Sequence, residues 1–431
     1  VTIAIGTNTR TAFSLLFPPI LDEFGWGRGV KAGTLSIGFL TSMLISPFIG
    51  ALMDRFGPNR VIPVGAVLVS AGLLLATVAT APWQFYITLG ALVVGGTALL
   101  SYIGHSFFLP FWFVRNRGLA IGIAFSGVGI GSIFFFPWLQ TIIAAAGWRE
   151  ASWAMAIMLL VVLVPLNFLF QRRAPADLGL EPDGVRAAPQ AQSKASAADN
   201  VVDPAWVSTE WTVWLAICTA PFWWLFFAYV TGFYAWYAVQ VHQTKYLVDS
   251  GFSVQQAAFA LGLVAFMGVV GQISIGHFSD RFGREWAWMI SSLGFAFCYV
   301  LLLVMKSYPS LTLMYLMVAA QGLLGYGMSS IYGAMPAELF QGKRYGAIFG
   351  MFGVASGIGS SAGPWITGLI YDQSGSYTGA FYFALALSAV SIVCVWFAAP
   401  RKVRLVAGQA EKRARRQSKS SEPCPSVVQS S

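Results

Sequence analysis

The chain has 431 residues, of which 57% are hydrophobic and 10% charged, and its mean hydropathy is +0.67. A soluble chain carries about 25% charged residues, so this composition excludes an ordinary water-soluble domain and places the protein in lipid. The net charge of +9 does not point to nucleic acid, because the sequence lacks the basic and aromatic interleaving of a nucleic-acid platform.

A membrane-crossing helix needs about 20 mostly apolar residues. The first expected span runs to about Ile20. It is expected to be short, because the chain begins at Val1 inside an apolar segment without a cleavable signal-peptide pattern. The spans that follow are Lys31 to Met53, Arg60 to Ala81, Trp83 to Val114, Leu119 to Ala146 and Ala151 to Phe170. A second set runs Trp211 to Val241, Gln255 to Phe278, Ala287 to Met305, Leu311 to Pro336, Ala347 to Tyr371 and Ala380 to Ala399. The expected fold is an all-α integral membrane protein with twelve transmembrane helices. Its parts are a six-helix bundle over 1–170, a polar linker over 171–210, a second six-helix bundle over 211–400 and a basic disordered tail over 401–431.

The positive residues orient these spans. With both termini in the cytoplasm, the inner ends hold Arg55, Arg60, Arg115, Arg117, Arg172, Arg173, Arg281, Arg284, Lys343 and Arg344. The linker and tail add Arg186, Lys194, Arg413, Arg415 and Arg416, whereas the outer ends keep only Arg28, Lys31, Arg149, Lys245 and Lys306. The excess of Lys and Arg on one side predicts that arrangement in a plasma (inner) membrane.

Two segments repeat at nearly one offset. "GALMDRFGPNR" starts at Gly50 and "GHFSDRFGRE" at Gly276, so that Asp54 and Asp280 lie 226 positions apart. The fifth span contains "GVGIGSIFFFPWL" and the eleventh "ASGIGSSAGPWI", with Pro137 and Pro364 separated by 227. Two matches at one offset point to duplication, with a pseudo-two-fold axis along the membrane normal and a cavity between the halves. Gly127, Gly129, Gly131, Gly353, Gly357, Gly359 and Gly363 supply small faces for close helix packing.

These segments resemble the major facilitator superfamily. The first cluster matches its G-x-x-x-D-R-x-G-x-x-R loop at Gly50, Asp54, Arg55, Gly57 and Arg60. The second keeps Gly276, Asp280, Arg281, Gly283 and Arg284. More narrowly, "FWFVRNRGLAIGIAFSGVGIG", "GWREAS" and "AGPWITGLIYDQSGSYTGAF" look like the oxalate/formate antiporter and monocarboxylate transporter branch. The resemblance implies secondary active transport by alternating access, with the two motif loops latching the halves on the cytoplasmic side. It also implies that the first, fourth, seventh and tenth helices line the cavity. Asp54 is placed to face the positive end of a neighbouring helix, with Arg115 or Arg117 as its expected ion-pair partner; an anchor without state dependence is the alternative.

Ionisable residues at bilayer depth are costly and mark function. Arg10 lies ten residues before Ile20 and His105 ten before Arg115, about 15 Å from a membrane face at 1.5 Å per residue. Both therefore reach the midplane. A guanidinium there suits a carboxylate, and no Asp or Glu lies at that depth to neutralise it. The alternatives are a snorkelling Arg10 and a packing His105. Tyr102, Tyr234, Tyr326 and Tyr332 are candidate hydroxyl donors to substrate. The branch often carries a basic residue in the eighth or eleventh helix, which is missing here; a monoanion therefore fits better than a doubly charged substrate.

The expected function is transport of a small organic anion, first a monocarboxylate. Without a midplane carboxylate, proton coupling would run through His105, His242 or the protonated substrate, while anion exchange needs no such group. An exporter of amphipathic compounds and a transporter-derived sensor or scaffold are the other readings. Cys218, Cys298, Cys394 and Cys424 have no CxxC spacing and read as apolar fillers or free thiols. No hydrolase or metalloprotease motif occurs, so no enzyme activity, catalytic residue, cofactor or metal site is expected. The expected partners are the anion, protons and the lipid bilayer, not nucleic acid, with the chain acting as a monomer.

Overall fold

The computed structural model describes residues 1–26, 28–184 and 200–421. Twelve long helical segments cross in two six-helix bundles. The first bundle holds α1 (2–24), α2 (Arg28–Phe56), α3 (Pro58–Ala76), α4 (Pro82–Trp112), α5 (Arg117–Ala146) and α6 (Trp148–Phe170). The second holds α7 (Ala220–Asp249), α8 (Val254–Phe282), α9 (Arg284–Met305), α10 (Leu311–Phe340), α11 (Tyr345–Ser374) and α12 (Thr378–Ala398).

Nine of these helices are long and apolar enough to cross a membrane by length and composition alone, among the described residues. The exceptions are α1, α7 and α11, and each has a local cause. α1 pauses at Ala12 between Thr2–Thr11 and Phe13–Phe24. Just before the pause, Thr9 and Thr11 hydrogen-bond back to the carbonyls of Ile5 and Thr7, a pattern that bends helices. α7 and α11 trade apolar residues for Tyr, Gln and His, or for Gly and Ser.

The fourth expected span is not one continuous α-helix. α4 passes through a π-helical stretch at Tyr86–Gly95 and a 3-10 turn at Gly96–Leu99, then restarts at Tyr102. α10 repeats the sequence of events, with π at Ala320–Leu324 and 3-10 at Gly325–Gly327. In both, glycines at the π-to-3-10 junction lower the helix preference of the backbone. The two breaks carry the duplication into backbone conformation.

The halves meet through α2 on α11 and α5 on α8. Backbones touch at these crossings. A Cβ on Gly50 would overlap the Gly346 carbonyl, and one on Gly276 would overlap that of Gly118. Gly57 and Gly283, the single residues that separate α2 from α3 and α8 from α9, hold φ of +77° and +122°, a region closed to most side chains.

The tail differs from expectation. Residues Ala407–Ser421 form a helix, α13, rather than a disordered extension. Its sequence is rich in Ala, Gln, Glu, Lys and Arg, which favour helix, and docking fixes it: Gln409 Nε2 donates to the Phe282 carbonyl at 2.7 Å. The linker also contributes structure, with a short helix at Pro204–Ser208 and a bridge from Val201 to Arg404. Cys218 is exposed, and Cys298 and Cys394 are buried free thiols. Arg186, Lys194 and Cys424 lie outside the described residues.

Candidate functional site

A cavity of about 90 Å³ sits between the bundles. At the roughly 30 Å³ that each water takes in the liquid, that is room for about three waters, a compact space. From the first half it is lined by Arg10, Phe39, Ser42, Met43 and the restart of α4 at Ser101, Tyr102 and Ile103. The second half supplies an aromatic wall from α7, Tyr332 from α10, and Ser356, Ser360 and Ser361 from α11. Arg10 reaches the cavity because α1 carries it there, and its guanidinium carbon stands 4.4 Å from the centre of the Phe39 ring. It forms no ion pair with any described carboxylate.

The energetics of this cation are one-sided. A cation–π contact recovers about 0.5–2 kcal/mol, whereas a charge at membrane depth costs about 2.5–3.5 kcal/mol or more. Phe39 alone does not balance Arg10. The remaining lining presents hydroxyls, aromatic rings and apolar surface, with no acidic side chain. Tyr332 Oη and Ser356 Oγ lie 3.3 Å apart, and Ser356 also donates to the Gly353 carbonyl at 2.9 Å.

The other sequence candidates separate. Tyr102 and Tyr332 line the cavity; His105, Tyr234 and Tyr326 do not. His105 is buried, its Nδ1 is 3.0 Å from the Ser101 carbonyl of its own helix, and its ring packs on Phe108. A carbonyl only accepts, so Nδ1 carries the hydrogen and the ring is held as a packing group. Tyr234 stacks edge-on against Phe383, and Tyr326 packs on Trp236. His242, near one end of α7, places Nε2 2.9 Å from the Pro364 carbonyl and Nδ1 3.2 Å from Tyr377 Oη. The lining residues that sequence reasoning missed include the serines of α11, visible only as a small-residue stripe, and Phe39, Ser42 and Met43 of α2, which carry no signal of their own.

The two motif loops form a latch at one end of the bundle. Asp54 accepts hydrogen bonds from the backbone N–H groups of Gly346 and Ala347 at 2.9 and 3.0 Å. Asp280 does the same with Gly118 and Leu119, both at 2.8 Å. Each carboxylate therefore crosses from its own half to the positive N-terminus of a helix in the other half. Aligned glycines at the crossings let the chains come close enough for this.

Charge distinguishes the two latches. On the Asp280 side, Arg284 binds Asp280 at 2.7 Å and Glu338 at 3.2 Å, and Arg117 reaches Glu338 at 3.0 Å. Both arginines and both acids are buried. Burial pushes the nearby Arg404 guanidinium below its ordinary pKa, and Glu338 opposes that shift. On the Asp54 side the partner is Arg173 of the linker, 3.8 Å from the carboxylate and bonded to the Asp54 carbonyl at 2.6 Å. This corrects the expected pairing. Arg117 is drawn inward by buried Glu338, and Arg115 pairs with Glu411 of α13 at 2.6 Å. Arg55, Arg60 and Arg281 are exposed. Glu338 lies two residues beyond the expected end of the tenth span and was missed for that reason.

Comparison with known proteins agrees with this arrangement. Monocarboxylate transporter 13 of Bos taurus is 28% identical over 391 residues, covering 90% of this chain and 85% of the relative. Monocarboxylate transporter 12 of Rattus norvegicus is 25% identical over 410 residues, covering 90% and 82%. Among solved structures, the E. coli fucose:proton symporter FucP superposes with a TM-score of 0.67 at 14% identity, covering 92% of this chain and 96% of the other. The proton:xylose symporter XylE superposes with a TM-score of 0.66 at 12% identity, covering 96% and 95%. The family model described as Major Facilitator Superfamily matches residues 1–328 and 249–426. With a two-bundle fold, crossed latches and a cavity between the halves, the chain belongs to the Major Facilitator Superfamily.

Proposed function

We propose that the protein moves a small organic anion, a monocarboxylate first, across the membrane by alternating access as a monomer. The observation that carries this reading is Arg10, a cation on the wall of the central cavity without a carboxylate partner among the described residues. A bound carboxylate would supply the missing charge through the planar donor fork of the guanidinium. The hydroxyls of Ser356, Ser360 and Tyr332 would meet polar groups on the substrate body, and the small volume favours a compact acid over a bulky amphipathic compound. The names of relatives with 25–28% identity support the same class.

The distribution of Lys and Arg favours placing the latch end in the cytoplasm, with both termini there and the protein in the plasma (inner) membrane. In that orientation the closed latches shut the central cavity off from the cytoplasm. A second reading, exchange of one anion for another, draws on the lining itself: it holds no carboxylate and no imidazole to carry a proton. Proton coupling then requires the substrate to travel as its acid.

Uptake of labelled monocarboxylates into proteoliposomes, with and without a pH gradient, tests both. Saturable uptake driven by an inward proton gradient supports coupled entry of the acid. Uptake that requires internal anion and ignores the gradient supports exchange, and absence of saturable uptake for every acid removes the substrate class.

A further inference from the structure

At the latch end, α13 roofs a cleft of about 320 Å³ lined by Arg115, Asn116, His277, Asp280, Arg281, Gly408, Glu411 and Lys412, among others. Three parts of the chain meet there. Arg115 and Asn116 come from the first half, His277 and Arg281 from the second, and Lys412 from the tail. α13 is pinned across them by Arg115 to Glu411, by Gln409 to the Phe282 carbonyl, and by close packing of Gly408 on the Arg281 backbone.

The charges in this cleft do not balance. Asp280 is already occupied by Arg284 and two backbone amides, and Glu411 by Arg115. Arg281 and Lys412 form no ion pair with a described residue. They nonetheless converge on one ring: the Lys412 ammonium lies 5.3 Å and the Arg281 guanidinium carbon 5.9 Å from the centre of Phe282. A cation–π contact at an exposed site is worth only about 0.5–1 kcal/mol, so the ring leaves both cations open to an anion.

We propose that this cleft binds a phosphate group, and that the bound phosphate holds the latch closed. Arg281 supplies a donor fork and Lys412 a mobile point charge, the pair of side chains that suits a tetrahedral oxyanion. The phosphate comes from an anionic lipid headgroup or from a soluble phosphate, since the cleft lies at the end of the bundle. Arg281 and Lys412 belong to the second half and the tail docked on it, and the first half completes the cleft with the wall formed by Arg115 and Asn116, so the enclosed site exists only while the halves are together. A ligand with that preference shifts the population toward the closed latch. The proposal is independent of what the central cavity carries.

The test uses the full chain in nanodiscs. Inorganic phosphate is titrated against chloride at matched ionic strength, with discs of phosphatidylcholine alone or with phosphatidylglycerol. A Ser106→Cys reporter in a Cys218→Ala background, at a position fully buried between the halves, reads latch opening through its rate of thiol labelling. The expected result is slower labelling with phosphate or with phosphatidylglycerol, and binding weakened about tenfold or more in the Arg281→Gln/Lys412→Gln variant, as loss of one or two charged contacts implies. The charge-keeping Arg281→Lys/Lys412→Arg variant retains binding, which separates loss of the site from misfolding. Competition between phosphatidylglycerol and inorganic phosphate identifies the lipid headgroup as the source, and phosphate binding indifferent to lipid identifies a soluble one. Phosphate that binds no better than chloride, or equal binding in the glutamine variant, overturns the proposal.

Discussion

The two latches share a backbone geometry but differ in burial and charge, so replacing their aspartates has unequal consequences. Asp280→Asn removes a buried ion pair to Arg284 at 2.7 Å and leaves that guanidinium facing an amide. It also replaces one of the two oxygens that accept the Gly118 and Leu119 N–H groups with an NH₂ that cannot accept. Breaking one side of a buried pair costs about 3–5 kcal/mol. Part of that cost is recovered when the latch opens and water reaches Arg284. A net shift of about 3 kcal/mol corresponds to roughly two orders of magnitude in the open-to-closed ratio, at tenfold per 1.4 kcal/mol. Asp54→Asn loses one of its two amide bonds in the same way, but its ion pair to Arg173 is long, at 3.8 Å, with Arg173 34% exposed. Exposed pairs contribute about 0–1 kcal/mol, so a shift of about 1–2 kcal/mol, or roughly tenfold, is expected. The assay is thiol labelling of Ser106→Cys in a Cys218→Ala background, since Cys218 is the exposed thiol among the described cysteines. Labelling should rise in the order unsubstituted, Asp54→Asn, Asp280→Asn. Equal rates in all three, or the reverse order for the two variants, would refute the inference that burial sets the strength of each latch.

Glu338→Gln leaves Arg117 and Arg284 buried around one amide and should lower thermal stability by about 3–5 kcal/mol, measured by unfolding of the purified protein in detergent. Gly50→Ala and Gly276→Ala place a Cβ against backbone that has no room to give. Each should weaken closure by about 1–3 kcal/mol, read as faster Ser106→Cys labelling than in a Gly127→Ala control, where a Cβ meets open space. Phe39→Leu removes the ring under Arg10 and should raise KM for anion uptake by roughly 2- to 30-fold, the range of a cation–π contact of about 0.5–2 kcal/mol. His105→Gln, outside the cavity lining, should leave KM within about twofold, as expected of a packing site; a larger rise in KM with unchanged stability would return His105 to the substrate path.

Much of the fold was legible because lipid imposes a simple rule on the chain. Long apolar helices and duplicated charged clusters mark spans and halves wherever one sequence interval settles the matter. Asp54 and Asp280 were found this way, since their partners are backbone amides at helix starts and require no particular side chain. The pairing of Arg115, Arg117 and Arg173 was not legible. Three arginines lie within reach of the latch end, and tertiary packing decides which acid each one meets. Glu338 was overlooked because Pro336 looked like the end of a span, although α10 continues to Phe340. The central site was half visible: Arg10 stood out as a lone charge, while the serines of α11 resembled ordinary helix-packing residues. The spans with the weakest apolar signal, α1, α7 and α11, line the cavity, because a wall that receives a polar solute gives up hydropathy. His105 illustrates the opposite failure. Depth along the helix was inferred from spacing, but the break in α4 turns its ring onto its own backbone.

The central claim, that Arg10 binds an organic anion, is tested most directly by monocarboxylate uptake in proteoliposomes containing unsubstituted protein, Arg10→Lys or Arg10→Ala. The expected result is saturable uptake that survives with reduced affinity in Arg10→Lys and is lost in Arg10→Ala, while the alanine variant keeps its Ser106→Cys labelling pattern and thermal stability. Unchanged carboxylate uptake by Arg10→Ala would contradict the account.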